Sequence, residues 1–270
     1  MNINDVYTTT AILPALIVLH GSEGIGKTTT AWRFPSTIFG QTEDGCPAGV
    51  RLSTFGLLDS FDKVLQVITI LAAEPHNFRT FVLDSLDALE VLVLRAVCAE
   101  HDWKTIETPG YGKGFVAADR WWIDFLDGVD FLRRERGMMV VLLAHSAIER
   151  IDDPRTTSYT SYQLRLHRPA RGLIQDRADV IAFMAGDLNI QAEDQAFGKK
   201  RVRADGGSTR WLDFEGRPSF VAKNRYGLPA KMMLPKDFDF EKTIAGYFPQ
   251  LKPPAAAESN AAKPSKKQET

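Results

Sequence analysis

Through the first two thirds of the chain, short apolar runs alternate with longer segments whose hydrophobic positions recur every three or four residues. The runs Ala15–His20, Ser36–Gly40, Arg79–Asp84 and Met138–His145 have strand length. Their near-continuous Val, Ile, Leu and Phe content is that of strands covered on both faces. Between them, Phe61, Val64, Leu65, Ile68 and Leu71 share one helical face, as do Leu86, Leu89, Val93 and Val97. A third stripe holds Trp122, Phe125, Leu126, Val129 and Leu132, and Gly137 follows where a helix end takes glycine. These stripes read as core packing. Strand and helix in this rhythm predict βαβ units, hence an α/β fold with a mostly parallel central sheet flanked by helices.

After Ile181 the pattern changes. Residues from Asp187 to Arg217 mix alternating stretches with glycine pairs, which predicts a C-terminal β-hairpin extension. Strands near Ser219–Ala222 and Lys231–Leu234 and a closing helix over Phe238–Phe248 should follow. From Pro253 onward the composition falls to Pro, Ala, Ser, Lys and Glu without periodicity. The expected organisation is one domain over residues 1–250 and a disordered tail over 251–270, whose Lys263, Lys266 and Lys267 suit a tether.

Composition narrows the function classes. The 270 residues are 44% hydrophobic, enough to bury a sizeable core. Thirty-three Lys and Arg against 34 Asp and Glu leave a net charge of -1, so any polyanion site must be a local patch. The two cysteines, Cys46 and Cys98, form no CxxC pair, which argues against a disulfide scaffold or a thiolate zinc site. No apolar stretch is long enough to span a bilayer and no secretory start is visible, so a cytoplasmic protein without membrane contact is expected.

The sharpest signal is Gly21-Ser22-Glu23-Gly24-Ile25-Gly26-Lys27-Thr28, followed by Thr29, which fits the phosphate-loop pattern G-x-x-x-x-G-K-[ST]. The apolar run Ala15–His20 precedes it and a short helix from Lys27 should follow it, the context that pattern requires. Glycines let the backbone amides turn inward toward phosphates that side chains would block. Lys27 is then expected on the β- and γ-phosphates of ATP and the Thr28 hydroxyl on Mg²⁺. Asp84, closing an apolar strand, is the expected carboxylate partner of that metal; Asp87 reads instead as an acid in the first turn of the next helix. Glu43, in Gln41-Thr-Glu-Asp-Gly45 after the second strand, is the candidate general base, with a simple turn acid as the alternative. His145, at the end of another strand, points to the ligand crevice of an open α/β sheet and suits a γ-phosphate sensor or a structural hydrogen-bonder.

With these motifs, together with Tyr111-Gly-Lys-Gly114, Leu143-Ala-His-Ser146, Ala178-Asp-Val180 and Lys223-Asn-Arg-Tyr-Gly227, the chain resembles the RecA-superfamily AAA-type ATPases encoded by bacteriophages, the Sak-type single-strand annealing ATPases among them. The resemblance covers residues 11–248 and implies a RecA-like P-loop NTPase fold. By that resemblance Lys223 and Arg225 are a trans-acting basic pair that reaches a neighbouring subunit's γ-phosphate, which implies a homo-oligomer, ring or filament. Read from the residues alone, the same pair is a solvated turn. His145 departs from RecA, which has glutamine there. The resemblance also implies single-stranded DNA held by loops over Trp103–Phe115, with Lys113, and Ile148–Arg171. The second contains Arg150, Arg155, Tyr159, Tyr162, Arg165 and Arg168, cations interleaved with rings. A single-strand-binding protein or other replication and recombination proteins are the implied partners. Lys199, Lys200, Arg201 and Arg203 form a further basic cluster that equally suits a charged hairpin edge. Two other classes stay open: a small-molecule kinase with Arg150–Arg171 as a lid, and a non-catalytic nucleotide switch. A GTPase is disfavoured by the absence of an Asn-Lys-x-Asp element.

Overall fold

A computed structural model describes residues 2, 13–194 and 200–248. The tail over 251–270 lies outside the described residues, as do Lys199 and the side chains of Lys200, Arg201 and Arg203.

The first strand, β1 (Leu16–Gly21), runs into the phosphate loop and the short helix α1 (Lys27–Trp32). β2 (Thr37–Gln41), β3 (Thr54–Leu57), α2 (Phe61–Ala73), β4 (Thr80–Asp84), α3 (Leu86–Glu100), α4 (Lys113–Glu135) and β5 (Met139–Ile151) follow. The last part comprises β6 (Tyr159–Leu164), α5 (Arg168–Arg177), β7 (Val180–Asp194), β8 (Lys200–Asp213), β9 (Lys223–Asn224), β10 (Lys231–Leu234) and α6 (Phe240–Thr243). The sheet order is β3-β2-β4-β5-β1-β7-β8-β10. Its members from β3 to β7 are parallel, while β8 and β10 add antiparallel. The α/β P-loop architecture read from the sequence is therefore the architecture of the molecule.

Alternation along each strand sorts side chains to two faces. Leu16, Val18, Phe81, Leu83, Val140 and Leu142 face a core built with α2, α3, α4 and α5. Ile17, Leu19, Val82, Val141 and Leu143 face the other, closed by α1 and the C-terminal residues Phe214, Phe238, Phe240 and Phe248. The α4 residues Phe125, Leu126, Val129 and Leu132 are buried, each worth about 1.5–3 kcal/mol of transfer free energy. Local signals set the ends. Ser60 and Ser85 cap α2 and α3 by accepting from the amides of Lys63 and Ala88, and Gly137 takes φ 63 just beyond α4.

The structure differs from the sequence reading in five places. β5 does not end at His145 but continues to Ile151 and turns into β6, pairing Ser146 with Leu164 and Ile151 with Tyr159. The expected long loop over 148–171 is thus a β-hairpin leading into α5, because Ile148 to Ile151 and Tyr159 to Leu164 satisfy each other's backbone groups. The expected hairpin is real but starts earlier: Val180 to Met184 is a central strand paired with β1. The strand expected near Ser219–Ala222 gives way to β9 at Lys223–Asn224, and the exposed edge strand β3 was unanticipated. The closing helix over 238–248 breaks into α6 and a 3₁₀ turn at Ala245–Tyr247.

Candidate functional site

Parallel strands bring their C-terminal ends to one edge of the sheet, where crevices form in open α/β folds. The loop after β1 lies there. Gly21 is packed so closely on β7 that a Cβ would stand 2.4 Å from the Met184 carbonyl, and Gly26 adopts φ 98 at the entrance of α1. Neither position accepts a side chain without strain. Lys27 is buried, its Nζ donating to the carbonyls of Ser22 at 2.9 Å and Gly21 at 3.2 Å. Burial pushes its ammonium below the ordinary lysine value, against the pull of Asp87, Asp84, Glu43 and Glu23.

β5 lies between β1 and β4, so Asp84 stands two strands, about 10 Å, from the end of β1. The loop and α1 close that distance: Thr28 Oγ1 donates to Asp84 Oδ2 at 2.7 Å. Asp84 is buried, which raises its carboxyl above the usual range, with Thr28 pulling the other way and Glu43 adding repulsion. β2 flanks β4 on the far side, with Gln41 in register with Asp84. The turn after β2 is tied to β4 by the amides of Thr42 and Glu43, which donate to the Asp84 carbonyl at 2.8 and 3.4 Å. Thr42 Oγ1 also accepts from the Ser85 amide at 2.8 Å. Glu43 thereby reaches the rim of a cleft of about 250 Å³ lined by Gly24, Gly26, Lys27, Thr28, Thr29, Pro47, Asp84 and His145. A hydroxyl beside a carboxylate in an acid-rich cleft is a hard-oxygen donor set that fits Mg²⁺ better than a softer metal.

His145 stands at the end of the parallel part of β5 and joins this cleft. Its amide donates to Asp87 Oδ2 at 2.8 Å and its Nδ1 lies 3.3 Å from the same oxygen. Asp87 does sit in the first turn of α3, as its sequence position predicts, but it also takes a hydrogen bond from Arg165 Nε at 2.8 Å. Burial opposes its charge, yet the bonds from His145 and Arg165 outweigh that and hold its carboxyl below the usual range. Sequence reasoning missed this cluster because its members lie on β5, on α3 and just after β6. It also missed His20, buried beneath the loop between Ser146 Oγ and the Val221 carbonyl, each at 2.9 Å. Burial lowers the His20 pKa to about 4. Arg210 of β8, which carried no sequence signal, donates to the Ile25 carbonyl at 3.3 Å.

The remaining candidate residues are dispersed. Lys223 and Arg225 flank Asn224, which is level with Val180 and Ile17, four residues and about 13 Å below Gly21. Lys223 Nζ caps α5 through the carbonyls of Gln175 at 2.7 Å and Asp176 at 3.1 Å, while Arg225 lies 3.3 Å from Asp179. Arg165, expected on DNA, is held at the nucleotide cleft. Tyr162, expected to stack on a base, is stacked on Phe183 at 5.1 Å, because pairing with β5 turns it onto the aromatic layer. Arg150 pairs with Asp152 and Arg155 with Asp153, both exposed at the hairpin end, where Tyr159 opens β6. Arg168 and Lys113 are exposed at the first residues of α5 and α4. The stack of Phe115 on His167, 4.0 Å between ring centres, brings those two helix starts together.

Comparison with known proteins adds the following. A family model described as AAA domain (AAA_24) matches residues 13–226. A curated relative, the SPbeta prophage-derived uncharacterized protein YorG of Bacillus subtilis (strain 168), is 25% identical over 179 residues, 64% of this chain. The match spans about half of that relative, 51% of its length. Among solved structures, a crystal structure of the RadB recombinase matches with a TM-score of 0.45 and 14% identity, over 82% of this chain and 86% of that one. Among the described residues, no helix is long and apolar enough to cross a membrane.

Proposed function

The chain belongs to the AAA-domain family, and on that premise we propose that it hydrolyses ATP with Mg²⁺ and acts as an oligomer on single-stranded DNA, in recombination, annealing or as a replication accessory. The observation that carries the reading is the 2.7 Å approach of Thr28 and Asp84 at the base of a glycine loop that holds Lys27. Thr28 and Asp84 would hold Mg²⁺, which when bound neutralises charge developing on the phosphates. The loop amides and Lys27 bind and orient the phosphate chain. Glu43, at the rim beside Asp84, takes the proton of an attacking water or aligns it. His145, on the same wall, donates to the terminal phosphate.

Lys223 and Arg225 lie too far below the loop to serve their own nucleotide, so a phosphate role for them requires a neighbouring copy. The proposed trans-acting pair therefore implies head-to-tail assembly. Arg150, Arg155, Arg168 and Lys113, exposed on the β5–β6 hairpin and the two adjoining helix starts, and the half-buried Tyr159 supply the cations and ring for backbone neutralisation and base stacking. Phosphate release with and without a poly-dT oligonucleotide, with sedimentation in an ATP analogue, tests the reading. DNA-stimulated release from an assembled species is expected. Transfer of the phosphoryl group to a small acceptor, or binding without turnover, would replace it with the kinase or switch reading.

A further inference from the structure

Resting on that reading, we propose that Arg165 is a positioning residue of the nucleotide site: it holds the His145 ring in place and ties the phosphate loop to the β5–β6 hairpin. Arg165 follows β6 by one residue, and its amide donates to the His145 carbonyl at 2.9 Å, so the hairpin's own pairing delivers it to the cleft. Its fork is then spent on three elements at once. Nη1 donates to Glu23 of the phosphate loop at 2.9 Å, Nε to Asp87 of α3 at 2.8 Å, and Nη2 approaches His145 Nδ1 of β5 at 3.0 Å.

Guanidinium only donates. Asp87 Oδ2, which only accepts, lies 3.3 Å from the same Nδ1, so this edge of the imidazole is held between the guanidinium and the carboxylate that the guanidinium itself binds. His145 lines the cleft, so a ring held in this way is pre-set for a terminal phosphate oxygen. Lysine could not substitute, because one ammonium cannot span three partners in the planar geometry that the fork provides. The bond to Glu23 has a second consequence. Glu23 belongs to the loop whose amides must meet the phosphates, so its position and that of the hairpin carrying Arg150, Arg155 and Tyr159 are set by the same guanidinium.

The test compares wild type with Arg165→Ala and Arg165→Lys in the full-length chain. Calorimetry with an ATP analogue and Mg²⁺ measures binding, and steady-state phosphate release measures turnover. Both variants should lose about tenfold or more in kcat, with a smaller change in nucleotide affinity, the pattern of a group acting in the transition state. Millimolar guanidinium should restore part of the turnover of Arg165→Ala. Lysine supporting full turnover, or an unchanged kcat in Arg165→Ala, would overturn the inference and leave the ATPase reading standing. Failure of wild type to bind any nucleotide would overturn both.

Discussion

Thr28 donates its hydroxyl to Asp84 at 2.7 Å, joining the phosphate loop to the end of a strand that is not its neighbour in the sheet. The bond sets the spacing of the two groups proposed to hold Mg²⁺ and pulls the Asp84 carboxyl down against burial. Burial is the larger influence and raises the Asp84 carboxyl, so in the metal-free chain the folded state binds a proton that the unfolded state has released. Stability from this group is thus greatest at low pH and falls as pH rises through its native value. Asp84→Asn removes the buried charge. It should raise the melting temperature at pH 7 without Mg²⁺ and abolish Mg²⁺-dependent nucleotide binding. Thermal melts and calorimetry with and without Mg²⁺ measure the two effects.

Lys27 and Glu43 should separate binding from chemistry. Lys27→Ala deletes the buried cation that faces four carboxylates and is expected to cost about 10²–10³ in turnover, with nucleotide binding weakened in parallel. Glu43→Gln keeps the shape of the rim and should retain binding while losing about 10²–10⁴ in kcat. Single-turnover kinetics on the two variants distinguish these outcomes. A Glu43→Gln enzyme with full kcat would reduce Glu43 to a turn acid.

His20 sets an acid limit on the fold. Its pKa is about 4 when buried against an ordinary 6.5, so between those values the unfolded chain takes up a proton that the native one refuses. Stability is complete above pH 6.5 and is lost as pH falls toward 4, by up to about 3 kcal/mol at 1.36 kcal/mol per pH unit. His20→Gln should flatten this limb of the stability profile in urea melts at stepped pH. An unaltered limb would assign the acid sensitivity to other groups.

Asp179 and Arg225 form a contrasting pair. Asp179 accepts from the Leu16 amide at 3.1 Å and from buried Arg133, whose side chain is 6% exposed. Asp179→Asn removes one of two carboxylates on that guanidinium, Asp130 at 2.7 Å being the other, and should destabilise the fold by about 1–3 kcal/mol. Arg225 is 56% exposed, and its pairing with Asp179 is worth about 1 kcal/mol or less. Arg225→Ala should therefore melt close to wild type. If Arg225 serves a neighbour's nucleotide, the same variant loses turnover by about 10³ or more while still binding ATP. Equal kcat in both would confine Arg225 to holding β9.

Much of the site was legible because its grammar is local. The phosphate loop, the apolar strand ending in Asp84 and the turn carrying Glu43 are contiguous segments whose spacing is imposed by chain geometry, and all three arrive at one sheet edge. The hairpin of β5 and β6 was not legible, since Arg150, Tyr159 and Tyr162 are a cationic and aromatic mixture in either a loop or a twisted ribbon. Only the pairing of Ser146 with Leu164 distinguishes them.

The sequence by itself determined the parallel α/β sheet, its phosphate loop and the strand that ends in Asp84, because apolar periodicity and glycine placement act within a few residues. The tertiary structure alone decided that Arg165 stands at the nucleotide cleft and that Lys223 and Arg225 stand a strand length away. It alone made Asp87, His145 and Glu23 share one cation. Those relations depend on which strands become neighbours, and strand order is settled by the competition of whole faces for burial rather than by any local stretch of chain.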